Sequence, residues 1–233
     1  MLLNVALLLV LGATANAQSF QKFKTKITTR NFHKGKTVTT EGVLCYTLAG
    51  KMITHFVSPK EYYLINTAKG EISLYEPKQK TVVLQQNYQY STENTQLYFF
   101  LQNKKSDLGL KTMGFTIKNT RFEQDLMITQ WTPPIQMSNM IKEVELVHRG
   151  ANPIFMSYTD SKGRVIKKSY YYNYANFGGV EFPQAITQMD YPIAGDSIVS
   201  KTAYTNVKLN AEADDQLFNF TVPSNAKLLK NGK

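Results

Sequence analysis

The sequence predicts a mainly β protein built on one large antiparallel sheet. Three observations carry that expectation. About a dozen short β-branched or aromatic segments alternate with Gly, Pro, Asn and Lys turn signals. Only one stretch changes to helical spacing, and no shift in composition marks a linker between domains. A flat sheet of such width is abnormal, because successive strands are rotated relative to one another and exposed edges need protection, so the sheet is expected to curl.

The first group of strands is read from Phe23 to Arg30, Thr37 to Thr47, Met52 to Val57, Glu61 to Asn66, Glu71 to Tyr75 and Thr81 to Gln85. Between them stand His33-Lys34-Gly35, Ala49-Gly50, Ala68-Lys69-Gly70 and Pro77-Lys78. These connections are hairpin-short, which makes the strands antiparallel. From Ser91 to Lys105 the pattern becomes helical: Leu97, Phe100 and Leu101 share one face, with Ser91 or Thr92 available as the cap. Strand rhythm then returns through Phe115 to Phe122, Leu126 to Trp131, Ile141 to His148, Ile154 to Thr159, Arg164 to Tyr174, Val180 to Tyr191 and Ser197 to Val207. Asp160-Ser161-Lys162-Gly163 reads as a hairpin turn. Several strands are apolar on both parities, as in Met52-Ile53 and Tyr62-Tyr63-Leu64-Ile65. One parity would face the interior of the curl, and the other needs a partner of its own or stays exposed.

Residues 1–17 read as a secretory signal peptide: an apolar run from Leu2 to Leu11, then Ala15-Asn16-Ala17 as a small-x-small cleavage site. The run is shorter than the roughly 20 residues that cross a bilayer, so residues 18–233 are expected to form an exported, unanchored domain. The single cysteine, Cys45, excludes an intramolecular disulfide and a cysteine-based zinc site, and no cysteine stands at the cleavage point to take a lipid. The net charge of +10 is scattered, with pairs such as Lys104-Lys105 but no longer basic run. A nucleic-acid partner is therefore not expected; solvated strand faces, or attraction to anionic lipid or an acidic protein, account for the charge.

Motifs for covalent chemistry are missing. The chain has no nucleophile elbow, phosphate-binding glycine loop or paired zinc histidines. His33, His55 and His148 lie in separate segments, and Glu212 with Asp214-Asp215 lacks the ligand alternation of a calcium loop. That acidic group reads instead as the first turn of a short helix leading into Leu217 and Phe218. No enzyme activity, metal or cofactor is expected.

Gly42-Val43-Leu44-Cys45-Tyr46, Lys51 to Pro59 (KMITHFVSP), Tyr63-Leu64-Ile65-Asn66 and Gly70 to Pro77 (GEISLYEP) resemble the first half of the LolA-type periplasmic lipoprotein carriers. Asp215 to Pro223 (DQLFNFTVP) resembles that family's closing Phe-x-Phe-x-x-Pro segment. Tyr172 with Val180-Glu181-Phe182-Pro183 resembles the outer-membrane lipoprotein-sorting relatives. The resemblance implies an open half-barrel of about 11 strands with short helices forming a lid over an apolar cavity. It also implies a periplasmic carrier, expected to act as a monomer. Such a carrier takes acylated lipoproteins from an inner-membrane lipoprotein-releasing ABC transporter and passes them to an outer-membrane acceptor. One departure stands out: where the family commonly has an Arg-Pro pair that holds the lid, this chain has Leu48-Ala49.

Strand parity and helical spacing select the candidate acyl-chain residues. From the sheet these are Leu44, Tyr46, Met52, Phe56, Leu64 and Leu74; from the lid, Leu97, Phe100 and Leu101. A charge at Phe100 is expected to weaken cargo binding more than folding. Two other readings stay open: a cell-envelope sensor or scaffold that binds a lipid or protein segment with the same fold, and an exported enzyme with a polar cleft of converging carboxylates.

Overall fold

The computed structural model describes residues 20–193 and 195–229. The expected signal peptide lies outside the described residues. Fourteen strands form one sheet: β1 Lys22–His33, β2 Lys36–Thr47, β3 Met52–Ser58, β4 Tyr62–Asn66, β5 Glu71–Glu76, β6 Thr81–Gln86, β7 Thr116–Glu123, β8 Leu126–Thr132, β9 Ile141–Arg149, β10 Asn152–Asp160, β11 Val165–Phe177, β12 Val180–Asp190, β13 Ile198–Leu209 and β14 Lys227–Leu228. All thirteen segments read as strands from the sequence are strands. The expectation of about 11 strands is corrected to fourteen, and the last, two-residue strand pairs with β6 in parallel. Because it is so short and follows 17 residues with no strand, no alternation marked it in advance.

The spatial order is β14-β6-β5-β4-β3-β2-β1-β13-β12-β11-β10-β9-β8-β7. Two antiparallel meanders, β1 to β6 and β7 to β13, are thus sewn together along the β1–β13 seam, where nine residue pairs face each other from Phe23↔Leu209 to Phe32↔Val199. β6 and β7 consequently stand at opposite sides of the sheet, and the chain between them must cross one face of it. That crossing segment, residues 87–115, contains the one α-helix among the described residues, α1 Gln96–Leu101. The helix is shorter than the Ser91 to Lys105 stretch predicted. Thr95 caps it by accepting from the Tyr98 amide, while Ser91 caps a preceding helical turn, Thr92–Asn94. Three-residue helical turns and reverse turns fill the remainder, since Asn103 and Leu108 adopt left-handed backbone that an α-helix cannot continue.

β1 shows why these sequences make half-buried strands. Phe23, Thr25 and Ile27 point to the covered face while Lys22, Lys24 and Lys26 point away, a strict period of two. The Asp160 to Gly163 turn forms as expected. Gly163 takes the positive φ and donates to the Asp160 carbonyl, and the Asp160 carboxylate accepts from the Lys162 and Arg164 amides and from the Arg164 guanidinium.

The second apolar parity of β2 to β6 finds its partner in the C-terminal segment, residues 210–229, which runs over the opposite face. Ala213 and Phe218 pack on Cys45. The Phe220 ring stacks on Tyr63 at 3.9 Å, and Tyr63 stacks in turn on His55 at 4.1 Å. The Asp215 side chain caps the helical turn Gln216–Asn219, as the acidic cluster predicts, and pairs with Lys24. Burial and the nearby Asp215 push the Cys45 thiol up to about 12, so it stays protonated and inert.

Candidate functional site

The pairing register decides which side chains share a face. Leu44 opposes Thr54, Tyr46 opposes Met52, and Gly42 opposes Phe56. Phe56 in turn opposes Tyr62, Thr54 opposes Leu64, Leu64 opposes Leu74, and Leu74 opposes Val83. All six sheet residues selected from sequence therefore lie on one face, the face crossed by residues 87–115. Tyr62, Ile72 and Val83 stand on it too; sequence reading passed over them, although the same parity rule identifies them once the register is known.

The two halves of this face are filled differently. From β8 to β13 it carries Trp131, Leu146, Met156, Tyr171, Phe182 and Tyr204, all buried in one cluster with the crossing segment. Phe100 is 0% exposed, and its ring meets those of Tyr171 and Phe182 edge-on at 5.3 and 6.0 Å. This corrects the expectation for a charge at Phe100: the side chain is core, and a charge there would cost folding first. Leu97 and Leu101 are buried in the same cluster, as are Leu44 and Tyr46.

From β3 to β6 the face carries the buried polar side chains of Thr54 and Asn66, and its apolar side chains are only half-buried. Phe56, Tyr62, Leu64, Ile72, Leu74 and Val83 all fall in this class, outside the core cluster. Phe56 and Tyr62 stack on each other at 4.5 Å. Met52 sits at the boundary, packed on the core from one side. There a cavity of about 350 Å³ opens under the start of α1. Leu44, Met52 and Leu97 form its apolar side, and Gln96, Lys167 and Gln188 contribute polar groups. No sequence signal marked Lys167 or Gln188, because they come from β11 and β12, more than a hundred residues from Met52.

The crossing segment is held by polar anchors at both ends. The Thr92 hydroxyl, fully buried, donates to the Gly50 carbonyl at 2.8 Å, and the Ser91 hydroxyl donates to the Ala68 carbonyl at 2.7 Å. Near the middle, the Gln96 amide donates to the Tyr171 hydroxyl at 2.9 Å. At the far end the buried Lys105 ammonium donates to Asn152 at 2.6 Å and to Glu181 at 3.2 Å. That bond holds the Glu181 carboxyl below its usual range. The Lys105 carbonyl lies 3.1 Å from Nε2 of the buried His148, whose pKa is lowered chiefly by burial. Gly109 is obligatory in this segment: its φ is +84°, and a Cβ there would stand 2.2 Å from the Phe99 ring.

Among the described residues no group of His, Cys, Asp and Glu is arranged to hold a metal, and no helix is long and apolar enough to cross a membrane.

No protein-family model matches the sequence, and no curated protein matches it. Solved structures do match. The chain is similar to a LolA superfamily protein from Nitrosomonas europaea, with a TM-score of 0.54 and 15% identity over 82% of this chain and 86% of that one. It is similar to a putative outer membrane lipoprotein-sorting protein domain from Vibrio parahaemolyticus, with a TM-score of 0.58 and 13% identity over 87% and 91%. A DUF1329 family protein from Desulfovibrio piger matches at 0.59 and 13% over 86% and 90%. At these identities the likeness is one of fold, and the fold is LolA-like.

Proposed function

We propose that this protein is a periplasmic carrier that shields the acyl chains of lipoproteins on the half-open apolar face of β3 to β6. The observation that carries the reading is the contrast within one face. Phe56, Leu64, Ile72 and Leu74 remain partly accessible and outside the core cluster, beside a half whose Trp131, Leu146, Met156, Tyr171 and Phe182 are buried. The LolA-like fold supports it.

Hydrocarbon is the ligand such a surface suits. Each methylene moved out of water contributes about 0.8 kcal/mol, so a chain of roughly 15 carbons has a strong drive to enter an apolar trough. Met52, Phe56, Leu64 and Leu74 would touch the chain directly. Leu44, Tyr46, Leu97, Phe100 and Leu101, already buried, would form the wall that the trough abuts. The cavity beneath α1 has apolar and polar sides together, which suits the junction between acyl chain and ester or peptide, with Lys167, Gln188 and Gln96 as donors.

The curl of the sheet into an open half-barrel belongs to this proposal. Met52 on β3 and Lys167 on β11 line the same cavity although five strand spacings separate them, about 24 Å across a flat sheet at about 4.8 Å per strand. The crossing segment would act as the lid. Ser91, Thr92 and Lys105 would hold it in place of the missing Arg-Pro pair. No bond is broken in such a cycle, so the work of extraction falls to an energised inner-membrane transporter, with release to an outer-membrane acceptor.

Purification from the periplasm followed by native mass spectrometry tests the reading: acylated peptides should co-purify. A fluorescent fatty-acid probe should bind the purified chain and be displaced by an acylated peptide but not by its unacylated form. Failure of both would end the proposal.

A further inference from the structure

We infer that one end of the sheet is a docking surface for an anionic lipid bilayer. Antiparallel order puts six connections at that end, those joining β1–β2, β3–β4, β5–β6, β8–β9, β10–β11 and β12–β13. They carry Lys34, Lys60, Lys78, Lys80, Lys162 and Arg164 against Glu61 and Asp196. The five hairpin connections at the other end carry only Lys51 and Lys69 against Asp125. Lys34, Lys78, Lys80 and Lys162 make no ion pair among the described residues, so their charge is available to a partner.

The same end bears large apolar side chains at its tips. Ile135 is 86% exposed, Ile193 82% and Met140 61%, and Phe32 stands beside the Lys34 turn. Pro133, Pro134 and Pro192 flank these tips and stiffen them. The apolar groups are carried on three connections, Ile135 and Met140 on β8–β9, Ile193 on β12–β13 and Phe32 at β1–β2, and in the sheet order the Lys162 turn of β10–β11 stands between the first two. Separated apolar tips among unpaired lysines match a bilayer interface, where each side chain enters the acyl boundary and each ammonium meets an anionic headgroup. At the opposite end the most exposed apolar side chain, Phe122 at 73%, lies among charges that are already paired, Glu123 with Arg121 and Asp125 with Arg149. The inference stands on these tips and charges and does not depend on the acyl-carrier reading.

Vesicle flotation with the full chain tests it. At low salt, binding to phosphatidylcholine vesicles containing phosphatidylglycerol should exceed binding to phosphatidylcholine alone by about tenfold, and high salt should abolish the excess. The Ile135→Asp/Ile193→Asp and Lys78→Glu/Lys80→Glu variants should each lose most of the excess, while Phe122→Asp and the trough variant Leu64→Asp retain it. Circular dichroism establishes that each variant is folded. Equal binding to both vesicles, no binding at low salt, or indifference to the tip variants overturns the inference; absence of vesicle binding would assign this end to an acidic protein instead. Fatty-acid probe binding in the same preparations is read separately, so a failure here leaves the carrier reading untouched, and the reverse.

Discussion

The face beneath the crossing segment is one continuous surface in two conditions. Over β8 to β13 it is closed by Leu97, Phe100, Leu101 and Leu110, and the large side chains below them are buried. Over β3 to β6 equally apolar side chains are left half-buried. Composition does not separate the two halves, since both mix aromatic and aliphatic residues with a few buried polar ones, Thr54 and Asn66 in the first and Thr129 in the second. The difference lies in where the cover falls. Residues 87–115 must span from β6 to β7, and they place their apolar side chains over the second meander while anchoring to the first mainly through the hydroxyls of Ser91 and Thr92. A face can thus be apolar because it is core or because it is meant to be occupied, and only its cover tells which.

Substitutions should separate the halves. Phe100→Ala removes a ring from the sealed half and should destabilise the protein by about 3 to 5 kcal/mol in denaturant titration; a cost below about 1 kcal/mol would mean that this half is not the core. On the other half, Leu64→Asp should cost no more than about 1 kcal/mol of stability, because the site is part-exposed. It should nevertheless weaken fatty-acid probe binding about tenfold or more, and an unchanged affinity would remove Leu64 from the trough.

Acid should act through the sealed half. His148 is held below its ordinary value of 6.5, mainly by burial and also by the Lys105 charge, while the Lys105 carbonyl favours the protonated ring. The unfolded chain therefore takes up this proton more readily than the folded one. The contribution to stability is complete above pH 6.5 and declines as pH falls below it. Comparing unfolding midpoints at pH 7.5 and 5.5, the wild type should lose stability and His148→Gln should lose less of it. Smallest in effect is the strap on the outer face. Phe220→Ala breaks the stack on Tyr63 and should cost about 1 kcal/mol in thermal melts with probe binding unchanged.

Much of this was legible in the sequence. β-branched and aromatic segments between turn signals located thirteen strands, and Leu44, Tyr46, Met52, Phe56, Leu64 and Leu74 fell on a common face because hairpin registers preserve parity. The Asp160 to Gly163 turn was readable because its geometry is local. Phe100 was misjudged because helical spacing shows which residues share a face and is silent on how deeply that face sinks. Lys105 gave no sign of burial, since its partners Asn152 and Glu181 lie 47 and 76 residues away. The cavity under α1 was equally invisible, its walls being drawn from β2, β3, α1, β11, β12 and β13.

By itself the sequence determined the β architecture, the two-residue period that gives strands such as β1 a dry side, and the absence of any motif for covalent chemistry. Tertiary structure decided that β1 meets β13, that the chain after β6 has to traverse the sheet, and which part of the dry side that traverse leaves open. The reason is range: alternation is set by neighbours along the chain, whereas cover depends on contacts between residues dozens to hundreds of positions apart, which no local pattern encodes.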